Sequence, residues 1–184
     1  VAAFYLYRTP KTYSSTAKVL VDESNQDATM RNLGVASAGM MRLRSFNSVE
    51  NEIEAFSSPD LMQMVVERLG LQTRYVEDQF LRKVELYKNS PFDVRFMGDN
   101  PPSGFSFTAE SAGEDKVTLS DFRFQKEEID EEITGAYGDT LSTPVGKMVL
   151  YRNETVKDFD NPVRVSWSTS MNTAKAYCGK MNIS

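Results

Sequence analysis

The sequence predicts an α+β fold in which an α/β platform carries an inserted, antiparallel β-rich subdomain. Three observations predict it. Helix start and stop signals crowd residues 47–70 and return at 171–178. Between them, over 92–169, apolar residues alternate in short runs punctuated by Gly and Pro, as expected of antiparallel strands with one wet face. The chain has no internal repeat and no low-complexity tract. Its 184 residues are enough to bury about 70% of the unfolded surface, in one well-cored domain or two small ones.

The first eight positions run Val1-Ala2-Ala3-Phe4-Tyr5-Leu6-Tyr7-Arg8. A bilayer span takes about 20 residues, so this stretch is too short to cross by itself. It fits the last two turns of a transmembrane helix, with Tyr5, Tyr7 and Arg8 as interfacial anchors. It equally fits a short edge strand or a loose terminus. No complete transmembrane segment lies within the chain, and its two ends suggest an excised segment of a longer protein.

Pro10 breaks the pattern, after which Tyr13, Ser15, Ala17, Val19 and Val21 alternate with Ser14, Thr16, Lys18 and Leu20, predicting a strand over 12–22. From Asp22 to Asn47 the chain is polar and rich in Gly, Ala, Ser and Met without a clean period, which predicts a long loop. Its 28–45 portion suits adaptable contact with a neighbouring subunit. Asn47 or Ser48 can cap a helix that includes Val49, Ile53 and Phe56. Ser58-Pro59-Asp60 then supplies a second cap, a first-turn proline and a first-turn acid. Leu61, Val65 and Leu69 form a stripe that Gly70 closes.

Residues 71–76 are expected to turn back as a strand. The pairs and triplets Phe92/Val94/Phe96, Phe105/Phe107, Val117/Leu119, Phe122/Phe124, Val149/Tyr151 and Val163/Val165/Trp167 predict the β-rich run. Its spacing suggests a small sandwich or half-barrel. Met171 to Cys178 reads as helix with Ala174 and Cys178 on one face, and 180–184 as the start of a strand.

Composition narrows the chemistry. Twenty-one Lys or Arg against 26 Asp or Glu give a net charge of −5, and there is no His. That removes Ser-His-Asp triads, Cys-His pairs and imidazole ligands. A net negative chain also lacks the clustered basic surface that nucleic-acid binding requires. The single cysteine, Cys178, cannot form an internal disulfide and reads as a small core residue. Arg31, Arg42 and Arg44 are the only mildly basic patch, which reads as solvated loop before it reads as a headgroup contact.

Glu127-Glu128-Ile129-Asp130-Glu131-Glu132-Ile133 concentrates carboxylates, but its spacing matches no calcium loop. The better reading is a solvated turn or short helix with Ile129 and Ile133 buried. Gly135-Ala136-Tyr137-Gly138 and Thr143-Pro144-Val145-Gly146-Lys147 lack the spacing of a phosphate loop, since position 141 is Leu and position 148 is Met. Turn chemistry accounts for both.

The order of residues carries a resemblance. Pro10 through Val21 resembles the opening of Wzz-type chain-length determinant domains. Asn51-Glu52-Ile53-Glu54-Ala55-Phe56-Ser57-Ser58-Pro59-Asp60-Leu61-Met62, then Val65 through Leu71, is similar to the segment that follows in that family. Val84 through Phe92 resembles the passage into the β-rich region, and Thr143 through Lys147 with Asn161-Pro162-Val163-Arg164-Val165 resembles a hairpin and strand of the long, kinase-linked members. The long helical arm, second transmembrane segment and nucleotide-binding motifs of such proteins are missing from the sequence.

The resemblance implies a polysaccharide co-polymerase of the bacterial inner membrane whose periplasmic domain oligomerises and sets the length of O-antigen, capsule or exopolysaccharide. It places residues 1–8 at a membrane exit, 9–91 in a membrane-proximal Wzz-like α/β platform, 92–169 in a β-rich insertion and 170–184 in the platform's return. It implies no catalytic, cofactor-binding or metal-ligating residue in this segment and no cofactor. The expected partners are further copies of the chain, a membrane polymerase and export proteins, with anchoring through flanking helices. Loop 28–45 and helix 48–70 are the expected intersubunit contacts. Two other readings remain: a glycan-binding module using Tyr137, Tyr151 and Trp167, and a hydrolase using a carboxylate pair about 5–10 Å apart.

Overall fold

A computed structural model of the chain describes residues 14–18, 53–80, 82–98, 104–113, 115–156 and 159–182. Residues 53–56 are helical, followed by α1 (Pro59–Leu69), β1 (Thr73–Gln79), β2 (Arg82–Glu85) and a 3-10 turn (Tyr87–Asn89). Then come β3 (Phe92–Phe96), β4 (Phe105–Ser111), β5 (Lys116–Phe124), β6 (Glu127–Ile129) and β7 (Ile133–Ala136). The last elements are β8 (Thr140–Thr143), β9 (Gly146–Arg152), β10 (Val163–Trp167) and α2 (Ser170–Cys178). All ten strands pair antiparallel, in one sheet ordered β2-β1-β10-β4-β5-β6 with β7 also on β5, and a second ordered β3-β9-β8.

This corrects the expected α+β class. The described residues form a β-rich fold of two antiparallel sheets with three short helices, not an α/β platform with a β insertion. The physical reason is strand pairing across the expected seam. β1, on the platform side, exchanges hydrogen bonds with β10 from Thr73 opposite Trp167 to Glu77 opposite Val163, and so becomes a central strand of the larger sheet.

The facing sides of the two sheets close one core. Phe92, Val94, Leu141, Met148 and Leu150 from the smaller sheet meet Tyr75, Phe105, Phe107, Leu119, Phe122, Val163, Val165 and Trp167 from the larger. Aromatic rings dominate the junction: Phe96 stands edge-on to Phe105 (5.2 Å) and Trp167 (6.0 Å), and Phe92 edge-on to Tyr75 (5.8 Å). Such pairs add to the burial of their own large area.

Tyr75 also ties the sheets by a polar link. Its hydroxyl accepts from the Val94 N–H (3.0 Å) at the open edge of β3 and donates to the Asp93 carboxylate (3.2 Å). Burial, reinforced by the Asp93 charge, holds this phenol above its usual ionisation range. A raised value stabilises the neutral form in the fold, so the contribution is complete below about pH 10, where the unfolded phenol begins to ionise. Above that, stability falls with pH by about 1.4 kcal/mol per unit. Tyr75→Phe is expected to lower stability by about 1–3 kcal/mol at pH 7 and to flatten the decline above pH 10. Denaturant midpoints measured from pH 7 to 11 check both.

Local signals explain much of the rest. Ser58 Oγ accepts from the Asp60 N–H (3.2 Å), Pro59 opens α1, and Gly70 closes it in the left-handed conformation (φ 66°). Thr169 caps α2 by accepting from Asn172 N–H (3.3 Å). Thr143 through Lys147 is the β8–β9 hairpin, Thr143 Oγ1 bonding the Gly146 carbonyl (2.7 Å).

Several expectations fall elsewhere. Val117/Leu119 and Phe122/Phe124 belong to one strand, β5, because a bulge with Asp121 at φ 52° inserts one residue and keeps all four side chains turned inward. The acidic run is extended rather than helical: β6 and β7 pair along one edge of β5 and lay Ile129 and Ile133 on the core. On β9 the inward residues are Met148 and Leu150, so Tyr151 lies outside. Residues 14–18, inside the strand expected over 12–22, are exposed and belong to no strand, and neither do 180–182. The segment 1–8, the loop 28–45, the caps Asn47 and Ser48, and Arg31, Arg42 and Arg44 lie outside the described residues.

Candidate functional site

β1 and β10 are neighbours, so the chain enters and leaves the β lobe through one neck, closed by the Ser168 N–H bonding the Gln72 carbonyl (3.0 Å). α1 leads into that neck and α2 leads out, and the two helices pack on each other. Val66 and Ala174 are fully buried there, and Gln63 Nε2 bridges to Ser170 Oγ (3.1 Å) and to Glu67 (2.9 Å). Among the described residues no helix is long and apolar enough to cross a membrane.

The stripe Leu61, Val65 and Leu69 exists, but α2 does not cover it. Val66 makes the inter-helix contact, while Met64, Val65 and Leu69 are 60%, 39% and 50% exposed, with Phe56 exposed just before them. One face of α1 is thus met and a second apolar face is open. A helix apolar on two sides ordinarily has two neighbours, and a contiguous exposed apolar surface marks an interaction site.

A groove of about 530 Å³ lies on the other side of α2, against the outer face of β1 and β10. Its walls carry Arg74, Glu85, Tyr87, Asn172, Tyr177 and Lys180. Arg74 Nη2 and Glu85 Oε2 are 2.9 Å apart across the β1–β2 pair, and this bond raises the Arg74 pKa. Tyr87 and Tyr177 are 47% and 38% exposed. Tyr87 holds φ 47°, a left-handed conformation uncommon for a bulky residue. Lys180 Nζ sits 5.9 Å from the Tyr177 ring centre.

Of the aromatics singled out in the sequence, Trp167 lines the floor of this groove, while Tyr137 and Tyr151 lie away from it. Trp167 is 5% exposed, stacked on Phe105 (5.6 Å between ring centres). Tyr137 packs against the core. Tyr151 is exposed with the Arg95 guanidinium 4.9 Å over its ring. Cys178 is partly buried at the end of α2. A second depression, about 520 Å³, has Glu110 and Asp160 on its rim, both exposed. Among the described residues no three Asp, Glu or Cys side chains converge to hold a metal.

Tyr87 and Tyr177 escape sequence reading. They are far apart in the chain, and only the docking of α2 on the strands gathers them. No protein-family model and no curated protein matches the chain.

Proposed function

We propose that this chain is a non-catalytic, periplasmic part of an inner-membrane polysaccharide co-polymerase, which regulates the length and export of O-antigen, capsule or exopolysaccharide by oligomeric assembly. The observation that supports it is the open apolar face Met64, Val65 and Leu69 on α1, with Leu61 half-buried beside it. It lies within the segment 47–71, where the resemblance to Wzz-type proteins is strong. Copies meeting through α1 would form the ring or row, each carrying its β lobe through the single neck.

The partners on this reading are further copies of the chain, the membrane polymerase and the export proteins, with flanking helices as anchors. Deleting the gene tests it. The surface polysaccharide, separated by size on a gel, is expected to lose its modal length, and an unchanged distribution would sink the proposal.

A further inference from the structure

We infer that the groove between α2 and the outer face of β1 and β10 binds a short stretch of acidic glycan. Sugar rings present apolar C–H faces ringed by hydroxyls, so a site for them combines exposed aromatic faces with planar hydrogen-bonding groups. The groove supplies both. Tyr87 and Tyr177 provide the rings, and Arg74, Glu85 and Asn172 provide donors and acceptors. Its volume, about 530 Å³, falls in the range of ligand sites, roughly 300–1,000 Å³.

Tyr87 is held at φ 47° beside the strands, a costly conformation of the sort found at binding clamps. Charge then selects the class of glycan. Arg74 is matched by Glu85, whereas the Lys180 ammonium lies 5.9 Å from the Tyr177 ring centre and that of Lys88 5.6 Å from the Tyr87 ring centre, so positive charge stands beside both rings for a sugar carboxylate. The sheet beside the groove suits a continuing chain. Ser166 pairs with Ser106 and Arg164 with Thr108 on that outer face, and among the described residues the buried Arg164 Nε has no hydrogen-bond partner.

The choice of a glycan over another polyhydroxylated ligand rests on the functional reading above; the groove's chemistry does not. The test is a ¹H–¹⁵N titration of the 184-residue chain with three probes: hexagalacturonate, maltohexaose, and the acid-released oligosaccharides of the source strain. We expect shifts at Arg74, Tyr177 and Lys180 with an acidic probe at millimolar concentration. Tyr87→Ala and Tyr177→Ala should each weaken binding about tenfold, the loss of one good contact, with melting temperature as the check on folding. Lys180→Gln should weaken acidic binding, and Lys88→Gln with Lys180→Gln should reduce it to the level of the neutral probe.

No shift in the groove with any probe would overturn the inference, as would binding that survives both tyrosine variants. Equal binding of acidic and neutral probes would overturn the assignment of charge. If the groove binds while gene deletion leaves modal length unchanged, the functional reading falls and this one stands. The converse removes only this one.

Discussion

Replacing Phe107 with alanine is expected to destabilise the fold by about 3–5 kcal/mol. Phe107 is 1% exposed, lies 6.3 Å from Phe105 and 5.8 Å from Phe122 between ring centres, and faces Val165 across the β4–β10 pair. Truncation opens a cavity among β4, β5 and β10, whose backbones are pinned on both edges and cannot close in. For a chain of this length each kcal/mol moves the melting temperature by about 2–4 °C, so calorimetry should show a fall of roughly 6–20 °C. Glu131→Ala, in the exposed turn after β6, should change stability by less than about 0.5 kcal/mol. Equal effects at the two positions would contradict the placement of the core.

The second large effect is expected on assembly. Met64→Glu with Leu69→Lys puts charge on the open face of α1 without touching Val66 or Ala174, which join the helices. Leu69 ends the helix, where a cation suits the dipole. The double variant should melt within about 0.5 kcal/mol of the parent stability. On the proposed function, crosslinking of the protein in membranes should nevertheless fall from high oligomers to monomer. Oligomers that persist would exclude this face as the contact.

How much was legible in the sequence follows from the range of the forces involved. Caps are local, so Ser58-Pro59-Asp60 and Gly70 fix α1 from neighbouring residues alone. Alternation is local too, and Phe92/Val94/Phe96 and Val163/Val165/Trp167 fall on β3 and β10 with the expected faces inward. Pairing is not local. That β1 neighbours β10 is a matter of which distant strand offers a free edge, and it turns the expected platform and insertion into a shared sheet. The acidic run became β6 and β7 because β5 supplied an edge to pair with and the core took Ile129 and Ile133. This overrides the poor strand propensity of Glu and Asp.

On β9, one residue of parity decided the outcome. Val149 and Tyr151 alternate as well as Met148 and Leu150 do, and only the register against β3 turns the latter pair inward. The candidate sites show the same division. The stripe on α1 is visible in the sequence, but its lack of a cover is a tertiary fact. The groove joins side chains separated by about half the chain, and no periodicity announces it.

On the proposed function, this chain sets polysaccharide length by assembling through α1. The most direct measurement is the size distribution of surface polysaccharide from a gene-deletion strain complemented with the parent protein or with Met64→Glu/Leu69→Lys. The parent is expected to restore the modal length and the variant, present at equal level in the membrane, is not. A deletion strain with an unaltered distribution would exclude length control by this protein, and a variant that restores it fully would exclude assembly through α1 as its means.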